Sequence, residues 1–258
     1  MTRAWIEIDL VAMIRNAQRI AARAPAILPM IKADAYGLGA VPVVRALERI
    51  DPWGYGVATV GEGYEVRAAG IAGRVLLFTP VAVDELREVR ETRLTPALSS
   101  LASIQAWAAI GGGAWHLAID TGMSRAGVRW DLVGELADAV RAHPPEGAFT
   151  HFHSASLDDG TMTEQEARFE RALAALPVRP TVLHTENSAA IARRLRSPWS
   201  LARPGIFLYG VGSGAGATMQ PEPVVTLAAR VVELRTVRAG ESVSYDATYR
   251  ADSDRQIA

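Results

Sequence analysis

Lys32 ends an apolar run, "AILPMI" (26–31), and is followed by the small and turn-forming residues of "ADAYGLG" (33–39). An ammonium group in that place has two readings. In the plain one, a strand has finished and its last side chain reaches water. In the chemical one, an amine stands at the mouth of a pocket, where lysine can hold a carbonyl compound as a Schiff base. Other residues with chemical capacity are scattered along the chain: Asp120 in "DTGMSRAG" (120–127), His151, His184, Asn187 and Ser188 in "NSAA" (187–190), and Arg203 and Gly205 in "RPGI" (203–206). "NSAA" offers a hydroxyl and amides at a helix start, and "RPGI" offers a glycine whose backbone can approach an anion. Asn-Ser and Pro-Gly are also ordinary cap and turn residues, so neither identifies a site alone.

Composition narrows the chemistry. The 258 residues carry a formal net charge of −1 and no cysteine, which excludes a disulfide scaffold, a thiolate zinc site and a thiol nucleophile. Acids and bases are interspersed, so nucleic acid and membrane surfaces are not expected partners. The opening "MTRAWIEIDL" has no signal-peptide core, and no apolar run approaches the ~20 residues needed to cross a bilayer. A cytoplasmic small-molecule protein is expected. His151 and His153 share one face of a strand, with Asp158 and Asp159 nearby. Two histidines without a defined third ligand make a weak metal site, and no metal is expected.

Short apolar runs alternate with longer amphipathic ones, and this alternation must position the reactive residues. Strand-like runs at 26–31, 55–58, 75–78, 95–98, 115–119, 148–152, 181–184 and 199–202 are interleaved with helical patterns at 41–50, 62–69, 83–91, 100–110, 131–141, 163–176 and 188–194. Repeated strand–helix units imply parallel strands with right-handed crossovers. Eight such units predict an α/β fold of the closed (β/α)8, TIM-barrel type over residues 1–221. "GSGAGA" (212–217) lacks the lysine and the strand–turn–helix setting of a phosphate loop and reads as a linker. From 222 to 258 apolar and polar residues alternate around a turn at Ala239–Gly240, which predicts the start of a mainly antiparallel β-domain, too short for a sandwich of its own. In such a barrel, chemistry gathers at the C-terminal ends of the strands, often with a phosphate site after strands 7 and 8. Lys32, Asp120, Ser188 and Arg203 follow strands, and His151 and His184 stand at strand ends, so all six converge on that face. A lysine, an anion site and no metal cluster point to pyridoxal phosphate.

At these residues the chain resembles the alanine racemase family of fold-type-III pyridoxal phosphate enzymes. "IKADAYGLG" is similar to the family's cofactor-lysine signature. "WIEIDLVAMIRN", "YGVATVGEGYEVRAAGI", "HLAIDTGMSRAGV", "FTHF", "HTENSAA", "ARPGIFLYG" and "GESVSYDATY" resemble further family segments, in family order over essentially the whole chain. The resemblance implies that Lys32 holds pyridoxal 5'-phosphate covalently, with its phosphate bound by Tyr36, Ser188 and the backbone of Gly205 and Ile206. It implies Arg125 near the cofactor's phenolic oxygen and Arg203 at its pyridine nitrogen. The implied reaction is two-base racemisation of a small amino acid, alanine by default, with Lys32 serving one face of Cα and Tyr245 the other. His151 would hydrogen-bond to Tyr245, and D-alanine would feed peptidoglycan synthesis. A complete β-domain would reach across a head-to-tail homodimer and carry the tyrosine to the partner's site.

Four departures from the family pattern stand out. Ala118 occupies a position where many members carry a carbamylated lysine that orients the residue equivalent to Arg125. Asp246 replaces a glycine and sets a carboxylate beside Tyr245, and His153 stands where a small residue is common. The sequence ends at "DRQIA", ahead of the rest of the family's β-domain. Two alternatives stay open: a racemase for another amino acid such as serine, and a pyridoxal phosphate-binding barrel without turnover. Apart from the resemblance, Tyr245 also reads as a core tyrosine of a β-strand.

Overall fold

The computed structural model describes residues 3–214 and 216–258. They form two compact units, Asp9–Val224 and the strand Ala4–Ile8 together with Val225–Ala258.

In the larger unit, strands Gly54–Val57, Arg74–Leu77, Thr95–Leu98, His116–Asp120, Gly147–Phe149 and Val182–His184 pair in that order, all parallel. Two positions of the ring are irregular. Pro29 has no N–H to give a ladder, so the segment 26–31 makes isolated parallel bridges, Ile27 to Ala202 and Met30 to Gly56. The amides of Leu28 and Met30 donate to the carbonyls of Ala202 and Pro204, both at 2.8 Å, and Ile31 donates to Gly56 at 2.9 Å. Ser200 donates to the Leu183 carbonyl at 3.0 Å. These bonds close the ring, and the expected eight-unit barrel forms.

Helices Ala40–Leu47, Val60–Ala68, Leu86–Glu91, Leu101–Ala109, Ala137–Ala142, Thr161–Ala175 and Ser188–Arg193 follow the strands. Ser100 caps its helix, its Oγ accepting from the Ser103 amide at 3.2 Å. A further helix, Leu10–Ala21, precedes the first barrel segment; Asp9 caps it and Ala12, Met13, Ala17 and Ile20 are its buried apolar face. Inside the barrel, Leu28, Leu76 and Leu201 fill one layer. Nearer the C-terminal ends Ala97 and Ala118 pack with Phe149. Alanine where a barrel usually places a larger branched side chain leaves space, and both alanines line the cavity described below.

The smaller unit is antiparallel throughout. Ala4–Ile8 pairs with Val225–Ala229, Arg235–Val237 with Arg255–Ile257, and Ser242–Val243 with Tyr249–Arg250. Its ladder partner therefore places the opening strand with this unit, although the sequence pattern assigns residues 1–221 to the barrel. The turn at Ala239–Gly240 is present, with Gly240 at φ 85° and the Glu241 amide donating to the Arg238 carbonyl. The segments it joins pair with later strands, not with each other. Tyr245 opens a short 3-10 turn and is 91 % exposed, so it is not a core strand tyrosine. The linker expected over 212–217 includes residue 215, which lies outside the described residues. Among the described residues no helix is long and apolar enough to cross a membrane.

Candidate active site

A cavity of about 780 Å³ opens at the C-terminal ends of the barrel strands. Lys32, Tyr36, Arg125, His151, Ser188, Arg203, Gly205 and Ile206 all line it. Eight residues drawn from five separate segments of the sequence thus face one space.

Lys32 opens an unusual turn. Ala33, Asp34, Ala35 and Tyr36 all have φ between 52° and 58°, a left-handed run that costs L-residues about 1–2 kcal/mol each. Neighbouring groups hold it in place. The Ala33 amide donates to Glu62 Oε1 at 2.9 Å, while Glu62 Oε2 accepts from the Ala58 amide at 2.7 Å. Asp34 Oδ1 accepts from the Ala40 amide at 2.6 Å and so starts the next helix. The left-handed turn puts Tyr36 beside its own lysine, with Nζ 5.9 Å from the ring centroid. Tyr36 packs on Tyr209 at 4.6 Å, and the Tyr209 hydroxyl donates to the Met30 carbonyl at 2.9 Å. Burial raises the pKa of both phenols, keeping them as O–H donors.

Opposite lies a cradle for an anion. A Cβ at Gly205 would lie 2.4 Å from the Tyr36 hydroxyl, so glycine there makes room for that hydroxyl. Ser188 Oγ accepts from the amides of Gly205 at 2.9 Å and Phe207 at 3.2 Å, which orients its own hydroxyl proton away from them. Asn187 caps the helix that Ser188 begins, its Oδ1 accepting from the Ala190 amide. The segment after Arg203 is a run of i to i+3 turns, with Leu208 donating to Gly205 and Tyr209 to Ile206. Since Ser188 takes the Gly205 amide, Ile206 offers the backbone N–H of that turn which no acceptor among the described residues takes.

Arg203 forms the floor. Its Nη1 donates to the His184 carbonyl at 2.6 Å and contacts His184 Nδ1 at 2.9 Å. Its Nη2 donates to the carbonyls of Thr150 at 2.8 Å and Thr185 at 3.1 Å, and lies 3.4 Å from His151 Nδ1. Among the described residues no acceptor takes its Nε–H. Phe149 and Phe78 stand against the guanidinium at 5.4 and 5.7 Å. Burial lowers the Arg203 pKa to about 9, with the Glu186 charge opposing, and the group remains cationic near neutral pH. Burial first, then the charges of Arg203, Arg125 and Lys32, bring the His151 pKa down to about 3. His151 is therefore neutral, and a proton donated to its Nδ1 leaves its own N–H on Nε2.

Not every residue singled out in the sequence faces the cavity as a reagent. Asp120 lines it, but its carboxylate accepts from the amides of Gly122 at 2.9 Å and Ser124 at 3.1 Å and shapes the loop that carries Arg125. Arg125 is exposed, and among the described residues no carboxylate pairs with it. Ala118 leaves the cavity wall beside this loop apolar. His184 is fully buried beneath Arg203. His153 turns to Ser154, its Nδ1 2.6 Å from Oγ. Glu62 and Gln165 escape notice in the sequence. Gln165 is buried, donates to Thr121 Oγ1 and to the His151 carbonyl, both at 3.1 Å, and accepts from the His153 amide. It sits among charged residues of a helix whose pattern marks no polar position as buried.

Residues 8–213 match the family described as alanine racemase, N-terminal domain, and residues 224–258 match alanine racemase, C-terminal domain. The alanine racemase of Limosilactobacillus fermentum is 38% identical over 269 residues, 97% of this chain and 72% of that protein. A crystal structure of alanine racemase from D-cycloserine producing Streptomyces lavendulae aligns at TM-score 0.85 and 33% identity, covering 99% of this chain and 72% of that one. The alanine racemase of Bartonella henselae, solved with covalently bound pyridoxal phosphate, aligns at TM-score 0.86 and 25% identity over 99% of this chain and 74% of that one. With both family regions matched in order along a barrel that gathers the lysine, the anion cradle and the guanidinium, this chain belongs to the alanine racemase family.

Proposed function

We propose that this protein is a pyridoxal phosphate-dependent alanine racemase, interconverting L- and D-alanine. What carries the reading is one arrangement: an amine, a hydroxyl-lined anion cradle and a buried guanidinium with one unclaimed N–H around a single cavity. That donor set fits the cofactor. The Lys32 amine matches an aldehyde, and the hydroxyls of Tyr36 and Ser188 with the Ile206 amide match a phosphate. The Arg203 Nε–H matches a pyridine nitrogen that accepts a hydrogen bond, and Arg125 is assigned to the phenolic oxygen. The chemistry supplied by bound pyridoxal phosphate is stabilisation of the negative charge left on Cα when its proton departs.

The chain's own residues then determine the outcome. Racemisation needs a proton taken from one face of Cα and returned on the other, so it needs two bases. Lys32 Nζ is assigned to one face. Tyr245, in the other unit, is assigned to the second face, delivered to a partner subunit's cavity in a head-to-tail homodimer, as the family resemblance implies. A neutral His151 with its proton on Nε2 is a donor suited to a phenolic oxygen and would favour its ionised form. Arg203 would give a bound ring nitrogen a hydrogen bond but not its proton, which would limit charge withdrawal and favour reprotonation at Cα over side reactions. We place the reaction in the cytoplasm, with D-alanine passing to peptidoglycan synthesis.

The test is incubation of the protein with pyridoxal phosphate and L-alanine in heavy water, reading Cα deuterium and chirality together. Deuterated D-alanine is the expected product. Cofactor binding with no exchange from alanine, but exchange from serine, would move the assignment to another amino acid. Binding with no exchange from any amino acid would replace it with a barrel that holds cofactor without turnover.

A further inference from the structure

Polar side chains continue from Arg203 through the inside of the barrel toward its N-terminal mouth. Arg203 Nη1 lies 2.9 Å from His184 Nδ1, and His184 Nε2 lies 2.7 Å from His116 Nδ1. His116 Nε2 then faces Glu146 Oε2 at 3.6 Å. Both imidazoles are fully buried, whereas the Glu146 side chain is 25 % exposed, with Arg74 3.4 Å from its other oxygen. His116 Nε2 and Glu146 Oε2 are each buried, and among the described residues neither has a hydrogen-bond partner, so each is left facing the other. The histidines belong to strands His116–Asp120 and Val182–His184, which flank Gly147–Phe149. They meet because the strand between them presents Gly147: a Cβ there would lie 2.5 Å from the His116 ring.

The direction of this chain follows from its first member. A guanidinium only donates, so His184 Nδ1 must accept and its proton sits on Nε2. That N–H faces His116 Nδ1, which must accept in turn, and the His116 proton sits on Nε2. There it points at a carboxylate, which only accepts. Reversing any link would set two N–H groups or two lone pairs against each other. Burial lowers the pKa of both imidazoles, in keeping with neutral rings. A carboxylate at the end of such a chain polarises every link back to the guanidinium.

We propose that Glu146, at the opposite mouth of the barrel from the cavity, is a positioning residue for Arg203: through His116 and His184 it fixes both imidazoles as Nε2–H tautomers and holds the guanidinium with its Nε–H left to the cavity. This rests on reading Arg203 as the partner of the cofactor's ring nitrogen.

The chain has five histidines, few enough to assign one by one in holoenzyme carrying 15N-labelled histidine. Long-range 1H–15N spectra near neutral pH are expected to show His116 and His184 as neutral Nε2–H tautomers. Glu146→Gln is expected to move the ring resonances of His184, two links away, and to lower kcat about 3- to 10-fold with KM changed less than about twofold. His116→Leu should lower kcat at least as much. His116→Gln, whose amide can accept at Oε1 and donate at Nε2, should recover most of it. An Nδ1–H or protonated His116 in the wild type would overturn the proposal, as would Glu146→Gln leaving the His184 resonances and kcat unchanged. If the wild type does not racemise alanine, the functional reading fails, while the tautomers and the His184 response still decide this one.

Discussion

Acidification is a direct probe of the buried histidines. Burial holds His151 at a pKa of about 3 and lowers those of His116 and His184. Each takes up a proton on unfolding at a pKa of ~6.5. A histidine whose folded pKa is depressed makes the unfolded state bind more protons below ~6.5, so stability falls as pH falls through that window. Between pH 7.0 and pH 5.5 His151, with its folded pKa of about 3, contributes a loss of about 1.3 kcal/mol, and His116 and His184 add losses of the same sign. Glu186 acts the other way. Burial raises its pKa, so its folded form gains a proton before its unfolded form does, which opposes part of that loss. Glu146, whose pKa is lowered chiefly by His116, loses its contribution only below its unfolded value near 4.5 and lies outside this window. Three histidines act against one carboxyl, so the net expectation is a loss of stability toward pH 5.5, on the order of the 1–2 kcal/mol that His151 alone supplies, a noticeable part of an ordinary domain's stability. Urea unfolding at constant ionic strength over this pH range reads it directly. A flat profile, or one in which stability rises toward pH 5.5, would refute the neutral, buried imidazoles on which the Arg203 geometry depends.

Three substitutions address the other parts of the site. Gly205→Ala puts a methyl 2.4 Å from where the Tyr36 hydroxyl stands; displacing that donor should raise the cofactor Kd at least about tenfold, read by fluorescence titration, while the cofactor-free melting temperature stays within a few degrees. Ala33→Gly, at an exposed position with φ 52°, relieves about 1–2 kcal/mol of strain against about 0.4–1 kcal/mol of added unfolded-state freedom, so urea unfolding should show a small net gain, about 0.5–1 kcal/mol. Glu62→Gln presents one acceptor and one N–H to the two amides, of Ala33 and Ala58, that Glu62 now satisfies; it should cost about 1–3 kcal/mol in the same assay, and no loss would mean that Glu62 does not hold the lysine turn.

The parts of the fold visible in the sequence are those that obey a period. All eight strand positions and the seven helices between them follow from alternation of short apolar and longer amphipathic runs. Leu10–Ala21 also has helical spacing, but "DLVAMIRN" is taken up by the family resemblance, which carries no helix with it. Proline explains why the first barrel segment is bridged rather than laddered, and Pro29 is visible in advance. The left-handed run at 33–36 is not, because alanine, aspartate and tyrosine do not ordinarily share that backbone state and nothing in "ADAY" announces it. Contacts across the barrel are equally silent. His116 and His184 are 68 residues apart, and the residue that lets them meet, Gly147, lies just ahead of the strand-like run 148–152 with nothing to mark it. Lys32, His151, Ser188 and Arg203 are legible because each stands at or just after the end of a strand-like run, whereas Tyr36, Arg125 and Ile206 are legible only through the family resemblance; Glu62, Gln165 and Glu146 lie on a helix, on a helix and at a strand's opposite end, where the barrel rule predicts stability rather than chemistry.

The central claim is that Lys32 is the covalent anchor of the cofactor. It is tested most directly by reducing the pyridoxal phosphate-loaded protein with borohydride and mapping the phosphopyridoxyl group by peptide mass spectrometry. The account predicts a single modified residue, Lys32, with no stoichiometric label in Lys32→Ala. Labelling at another amine, or a wild-type protein that takes no label under saturating cofactor, would contradict it.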